Sequence, residues 1–225
     1  MARYTGPKTK ISRIFGEPIL GNGKWLGKNS NPPGQHGEKR KRKTLGEYAL
    51  QLREKQKAKY TYGILEKQFR KTFEEAQRLK GVTGENLIKL LEARLDNTVF
   101  RMGLTASRPE ARQLVAHKHI AVNGEVTNVP SYTCRPGDVI GYRPKSAHNS
   151  ALTSKSRGKN PKFGWLDWNE NEKKGTFITF PESLGATEAP PLFVLGERGE
   201  INEPEAPVPF TGAFPLQAQA LGFAL

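Results

Sequence analysis

The side chains best placed to do chemistry in this sequence are cations, and the chemistry they offer is ion pairing with phosphate. Lysine and arginine number 36 against 22 aspartates and glutamates, a net charge of +14 over 225 residues. The distribution says more than the sum. Residues 1–43 hold 11 of the cations and two acids, and include Arg3, Lys8, Lys10, Arg13 and the unbroken run Lys39-Arg40-Lys41-Arg42-Lys43. A second basic stretch, residues 143–162, holds six cations including Lys145 and no acid. Residues 183–225 reverse the sign, with five Glu and one Arg. Such an excess implies a polyanionic partner, either a nucleic acid or an anionic membrane surface. No run of 18 apolar residues occurs and the N-terminus lacks an apolar leader stretch. A membrane partner and secretion are not expected; a cytoplasmic location is, with an organellar one left open.

Other chemistries find little support. The single cysteine, Cys134, forms no disulfide framework and no Cys-based zinc site within the chain. His117 and His119, two apart, are expected on different faces of a helix, a poor metal pair. Gly21-Asn22-Gly23 with Gly27 has no strand before it and reads as a turn rather than a phosphate loop. No Gly-x-Ser-x-Gly, His-Glu-x-x-His or Walker lysine is present. The expectation is a non-enzymatic protein with no metal, no cofactor and no small-molecule substrate.

The elements that must position the cations are legible in the middle of the chain. Residues 1–43 are rich in Gly and Pro and show no helical or alternating period. They are expected to form an extended basic arm that cannot bury enough apolar surface to order itself alone. Thr44 and Glu47 have capping-box spacing ahead of Leu45, Tyr48, Ala49 and Leu52, a first helical stripe. Tyr62, Leu65, Phe69, Phe73 and Ala76 mark a second, ending near Gly81. Leu87, Leu91, Leu95 and Val99 mark a third, running to about Gly103. All three stripes read as core, and the opposite faces carry Arg53, Lys57, Lys67, Arg70 and Lys71.

A compact unit follows. Ser107 and Glu110 form another capping box, with Pro109 in the first turn. Ala111, Leu114 and Val115 give this helix its apolar face, while Arg108, Arg112 and His119 are expected to share another flank. Ile120-Ala121-Val122, the turn Asn123-Gly124 and Val126 read as a tight hairpin. Arg135-Pro136-Gly137-Asp138 is a second turn into the strand Val139–Tyr142. Phe163–Trp168 and Thr176–Phe180 read as further short strands.

Leu95-Asp96-Asn97, Arg108-Pro109-Glu110-Ala111-Arg112-Gln113-Leu114-Val115, His117-Lys118, Val122-Asn123-Gly124 and Pro136-Gly137-Asp138 together resemble the S4-type RNA-binding module. The module occurs in several RNA-acting proteins, so the remainder of the chain decides. Pro33-Gly34-Gln35-His36-Gly37, Tyr48 to Lys57, Tyr62-Gly63 to Arg70 and Gly84-Glu85-Asn86-Leu87 resemble the bacterial-type ribosomal protein S4 family, over residues 1 to about 182. The resemblance implies an α+β fold: an N-terminal basic arm (1–43), a helical domain (44–94, with parts of 163–182 packing back on it) and an inserted RNA-binding module with a basic linker (95–160). Residues 183–225 form an acidic, Pro-rich tail unlike the usual family ending. The arm has none of the zinc-binding cysteines of some relatives, so its order is expected to come from RNA contact.

The same resemblance implies a structural constituent of the small ribosomal subunit that binds the 5′ domain of 16S rRNA early in assembly. It further implies neighbours in ribosomal proteins S5 and S3, a place near the mRNA entry channel and an influence on decoding accuracy. Gln35, His36, His117 and Lys118 join the cations named above as rRNA-binding candidates through this likeness. Three basic surfaces are expected to act together: the arm, the outer faces of the first helices, and the flank of Arg108, Arg112 and His119. Tyr4, Trp25, Tyr60 and Tyr62 are candidates for stacking on splayed bases, with core burial an equal expectation for Tyr62. Two other readings share the charge: a free-standing module acting on structured RNA away from the ribosome, and an architectural DNA-binding protein.

Overall fold

In a computed structural model of the chain, residues 3–20, 24–29, 31–37, 46–147, 163–169 and 171–181 are described. The cationic run 39–43, the Trp25 side chain, Thr44, most of the 143–162 stretch and the acidic tail lie outside them. The described part is built from two hydrophobic clusters joined end to end.

The first cluster belongs to three helices: α3 (Glu47–Tyr62), α4 (Glu66–Arg78) and α5 (Thr83–Glu92). Its members include Ala58, Tyr62, Ile64, Phe69, Phe73, Leu87 and Leu91. The expected second stripe is thus real from Phe69 onward, although Tyr62 closes α3 and Leu65 stands before α4, 37% exposed. The expected first stripe is not core. Tyr48 is 54% and Leu52 38% exposed, and α3 buries its C-terminal half instead, through Lys57, Ala58 and Tyr62. Helical spacing locates a face but does not say whether a neighbour reaches it. At the far end of α4, the Asn86 side-chain amide donates to the carbonyls of Leu79 (3.3 Å) and Lys80 (3.2 Å), satisfying backbone groups just past the helix end.

The third stripe is two helices rather than one. α5 stops at Glu92, and α6 (Leu95–Arg101) starts after an extended Arg94, with φ −68° and ψ 137°. The loop 130–134 causes the break: Tyr132 O accepts from Leu95 N (2.8 Å), and Cys134 N donates to Ala93 O (2.7 Å). Leu87 and Leu91 therefore serve the first cluster, while Leu95 and Val99 serve the second.

That second cluster lies between α6, α7 (Arg108–Ala116) and a five-stranded antiparallel sheet ordered β2-β1-β3-β5-β4. β1 (Ile120–Val122) and β2 (Glu125–Val126) form the expected hairpin. Asn123 (φ 52°) and Gly124 (φ 86°) supply the two left-handed residues of a type I′ turn. β3 (Val139–Tyr142) follows the Arg135–Asp138 turn, in which Asp138 N donates to Arg135 O at 3.0 Å. β4 (Leu166–Asn169) and β5 (Lys174–Phe177) pair with each other, and β5 pairs with β3. The 163–181 segment therefore extends the sheet of the module instead of packing back on the helical domain, and it inserts Trp165 and Phe177 into the second cluster. Gly175 makes this possible. A Cβ there would sit 2.8 Å from Asp167 O and from the Trp168 ring.

The arm is not a featureless extension. α1 (Lys8–Phe15) buries Ile11 and Phe15, and a short α2 spans Lys24–Lys28. Phe15 meets the Tyr60 ring of α3, centroids 6.2 Å apart, a pairing that the local pattern does not disclose. Gly16 (φ 76°) ends α1 in the left-handed conformation.

Candidate nucleic-acid interface

The residues that carry the expected S4-type module are, in the structure, largely occupied with one another. Glu92, fully buried at the end of α5, accepts from the Tyr62 hydroxyl (2.7 Å), from Arg101 Nη2 (2.7 Å) and Nε (3.0 Å), and from the Asn97 amide. Asn97 passes the chain onward, its Oδ1 accepting from Arg108 Nε at 2.7 Å. The Arg108 guanidinium lies 4.6 Å from the Phe100 ring centroid and 5.2 Å from that of Tyr62. Next to it, Asp96 takes a two-pronged bond from Arg94 (2.9 and 3.2 Å) and a third from Arg112 (3.2 Å).

This network bridges α3, α5, α6 and α7, so it ties the helical cluster to the module. Burial works against the Glu92 charge, yet the Arg101 bonds and the nearby guanidinium charges win and hold its carboxyl below the usual range. Burial draws the Arg108 guanidinium below its ordinary value, against the pull of Glu92, and pushes the Tyr62 phenol well above its own. The expected flank of Arg108, Arg112 and His119 is therefore corrected. The two arginines turn inward to carboxylate and amide partners, and His119 lies beyond the helix, which ends at Ala116.

The turn after α7 is a six-residue Schellman closure. His119 N donates to Leu114 O (3.1 Å) and Lys118 N to Val115 O (2.9 Å), with Lys118 left-handed at φ 62°. Lysine takes the place where glycine is usual, and its side chain is exposed. The reversal also overturns the expectation that His117 and His119 diverge: their rings stack at 6.3 Å and 25°. His119 Nδ1 lies 3.0 Å from Ser146 Oγ. Among the described residues, no group of three His, Cys, Asp or Glu is arranged to hold a metal. Cys134 is buried, its thiol pushed up to about 12 by that burial.

A cleft of about 340 Å³ opens where the arm, the end of α3 and the start of α7 meet. Arg3, Tyr4 and Lys8 form its arm side, Lys59 to Leu65 its α3 side, and Asp96, Asn97, Arg108 and Arg112 its module side. Tyr4 and Tyr60, both in its lining, meet edge to face, centroids 5.4 Å apart.

Two family models cover consecutive stretches of the chain: the ribosomal protein S4/S9 N-terminal domain matches residues 3–92, and the S4 domain matches residues 93–140. Among similar proteins, small ribosomal subunit protein uS4 of Cytophaga hutchinsonii is 57% identical over 183 residues, 81% of this chain and 90% of the relative. The uS4 of Christiangramia forsetii is 55% identical over 181 residues, 80% and 90% of the two chains, and that of Bacteroides thetaiotaomicron is 57% identical over 183, 81% and 90%. The chain belongs to the uS4 family. As a uS4-family protein it is structural and not an enzyme.

Within this uS4 chain the candidate cations divide by exposure. Arg3, Lys8, Lys10, Lys67, Arg70, Lys71, Lys118 and Lys145 are exposed, as are Gln35, His36 and His117. Of these, Arg70 also pairs with Glu74 one turn on, at 3.3 Å. Others serve the fold. Arg13 donates to the carbonyls of Asn31 (2.8 Å) and Pro32 (3.2 Å), and so fastens the arm to itself. Arg53 Nη2 donates to Phe15 O (2.8 Å), completing the end of α1. Lys57 is 5% exposed and ion-paired with Glu17 at 2.7 Å. It does not lie on an outer face. Arg53 and Lys57 thus tie the end of α1 to α3 within the protein itself.

The motif letters pointed to Asp96, Asn97, Arg108 and Arg112 but not to their partner Glu92. Its nearest partner, Asn97, is five positions away, but the bonds from Tyr62 and Arg101 that fix the carboxylate come from 30 and nine positions away and no local pattern marks them.

Proposed function

We propose that the protein is a structural constituent of the small ribosomal subunit and binds ribosomal RNA through cations on both of its units. The observation that carries this reading is the match to uS4 relatives along 90% of their length, spanning helical unit and module alike. A module borrowed by an RNA-modifying enzyme would share only the second stretch. The surface supports it: Lys8 and Lys10 on α1, Lys67 and Lys71 on α4, Lys118 after α7 and Lys145 beyond β3 are all exposed. A-form RNA hides its base edges in a narrow groove, so such cations read shape through phosphates and 2′-hydroxyls.

The finer reading follows the family. The RNA is the 5′ domain of 16S rRNA, bound early to nucleate the body of the subunit in the cytoplasm. Ribosomal proteins S5 and S3 are neighbours, and the protein helps line the mRNA entry channel and tune decoding accuracy. By sequence, the arm (1–43), with Lys39–Lys43, and the 143–162 stretch add further cations to these candidates. Among the described residues, no helix is long and apolar enough to cross a membrane.

The test is sedimentation of tagged full-length protein with ribosomal particles. Stoichiometric presence in small subunits after a high-salt wash is expected. Its presence only in the free or substoichiometric fraction would favour an RNA-binding role away from the ribosome.

A further inference from the structure

We infer that the cleft between the arm, α3 and α7 is a pocket for one unstacked nucleobase of the bound RNA. The inference rests on the rRNA-binding reading above and adds a point at which a base, rather than the backbone, is held.

The cleft volume of about 340 Å³ lies at the small end of the range for ligand pockets, about 300–1,000 Å³. Proteins that read single-stranded or bulged RNA do so by stacking splayed bases on aromatic rings and guanidinium planes. The cleft brings both surfaces together in its lining: Tyr4 and Tyr60, whose rings meet edge to face, and Tyr62 with the Arg108 guanidinium 5.2 Å from its ring centroid. These groups are held before any ligand arrives. The Tyr4 hydroxyl donates to Pro7 O (3.3 Å), Tyr62 is fixed to Glu92 (2.7 Å), and Arg108 to Asn97 (2.7 Å). A pre-ordered wall spares the ordering cost of binding.

Charge decides between a base and a phosphate inside the cleft. Lys59 is paired with Glu66 (3.0 Å) and Arg112 with Asp96 (3.2 Å), and Arg108 lies in the field of Glu92. The interior cations are thus matched within the protein, whereas Arg3 and Lys8 stand exposed at the arm side. A flat, uncharged ring suits the interior, with its own phosphate at the rim.

The experiment measures binding of the full chain to a 5′-domain fragment of 16S rRNA across a salt series. It compares wild type with Tyr4→Leu, Tyr60→Leu, Tyr4→Phe and Tyr60→Phe. Loss of one base–ring stack weakens binding about five- to hundredfold. Because no phosphate contact is lost, the slope of log K against log salt stays at the wild-type value. The Phe variants keep the ring and bind as wild type. A fragment carrying 4-thiouridine should photocross-link to peptides containing Tyr4 or Tyr60. Tyr4→Leu is in the arm and leaves both hydrophobic clusters intact, so a folding defect at Tyr60 does not spoil the comparison. Leu variants that bind as wild type, or that lose affinity with a shallower slope, overturn the pocket. A wild type that fails to prefer the fragment over unrelated RNA overturns the rRNA reading itself, and the pocket with it.

Discussion

Taking the charge from Glu92 leaves the Arg101 guanidinium, and the positive charge of Arg108 beside it, buried without their carboxylate. Breaking a buried ion pair from one side costs about 3–5 kcal/mol, since the stranded charge keeps its desolvation penalty. Glu92→Gln is therefore expected to destabilise the fold by that amount in chemical unfolding. The same site has a pH signature. A carboxyl held below its ordinary pKa in the fold adds stability that is fully present above the unfolded value. That stability is lost as pH falls through the lower folded value. Wild type should lose stability on acidification across that window, and the Gln variant should lack this contribution; equal acid sensitivity in the two would remove Glu92 from the linkage. At this scale the sequence announced residue types more clearly than residue roles. Arg108 and Arg112 look like phosphate ligands because cations on a short motif usually are. Their inward turn follows from carboxylates that only the folded chain brings near.

Two helices have ends whose geometry makes predictions. Lys118 closes α7 in a left-handed conformation that costs a side-chain-bearing residue about 1–2 kcal/mol. Glycine would remove that cost but loses about 0.4–1 kcal/mol through the freer unfolded chain. Lys118→Gly should thus stabilise the protein by up to about 1.6 kcal/mol while weakening RNA binding and lowering the salt slope by nearly one. A gain in stability with RNA affinity untouched would show the lysine to be incidental. α1 makes the complementary case. It is anchored by Arg53 on the Phe15 carbonyl and by Lys57 on Glu17, so Arg53→Ala should abolish amide-exchange protection over residues 11–16 while leaving α4 and α5 protected. Retained protection would mean that Ile11 and Phe15 suffice to hold the helix. The hairpin at Asn123-Gly124 was legible because turn chemistry is local. The docking of α1, the exposure of Tyr48 and Leu52, and the addition of β4 and β5 to the module sheet were not, since each depends on a partner distant in sequence.

At the scale of the whole molecule, charge excess and hydrophobic clusters answer different questions. The charge pattern alone implied a polyanion; the lack of a long apolar run argued against a membrane, and motif and family separated RNA from DNA. The Glu92–Asn97–Arg108 network ties the two clusters together, and Lys8, Lys10, Lys67, Lys71 and Lys118 are exposed on both units, where the proposed function has them meet one RNA. Binding should therefore be strongly salt-dependent, each phosphate contact contributing about −0.9 to the slope on duplex and about −0.7 on single strands. It should also be selective for a shaped RNA, because rigidly joined cations match only some arrangements of phosphates.

The direct measurement is equilibrium binding of the full chain to a 5′-domain fragment of 16S rRNA over a salt series, with unrelated structured RNA of equal length and duplex DNA as competitors. Tight binding that survives both competitors, with a slope of several phosphate contacts, is the predicted result. Equal loss to every competitor would contradict it and reduce the protein to a basic surface without a ribosomal target.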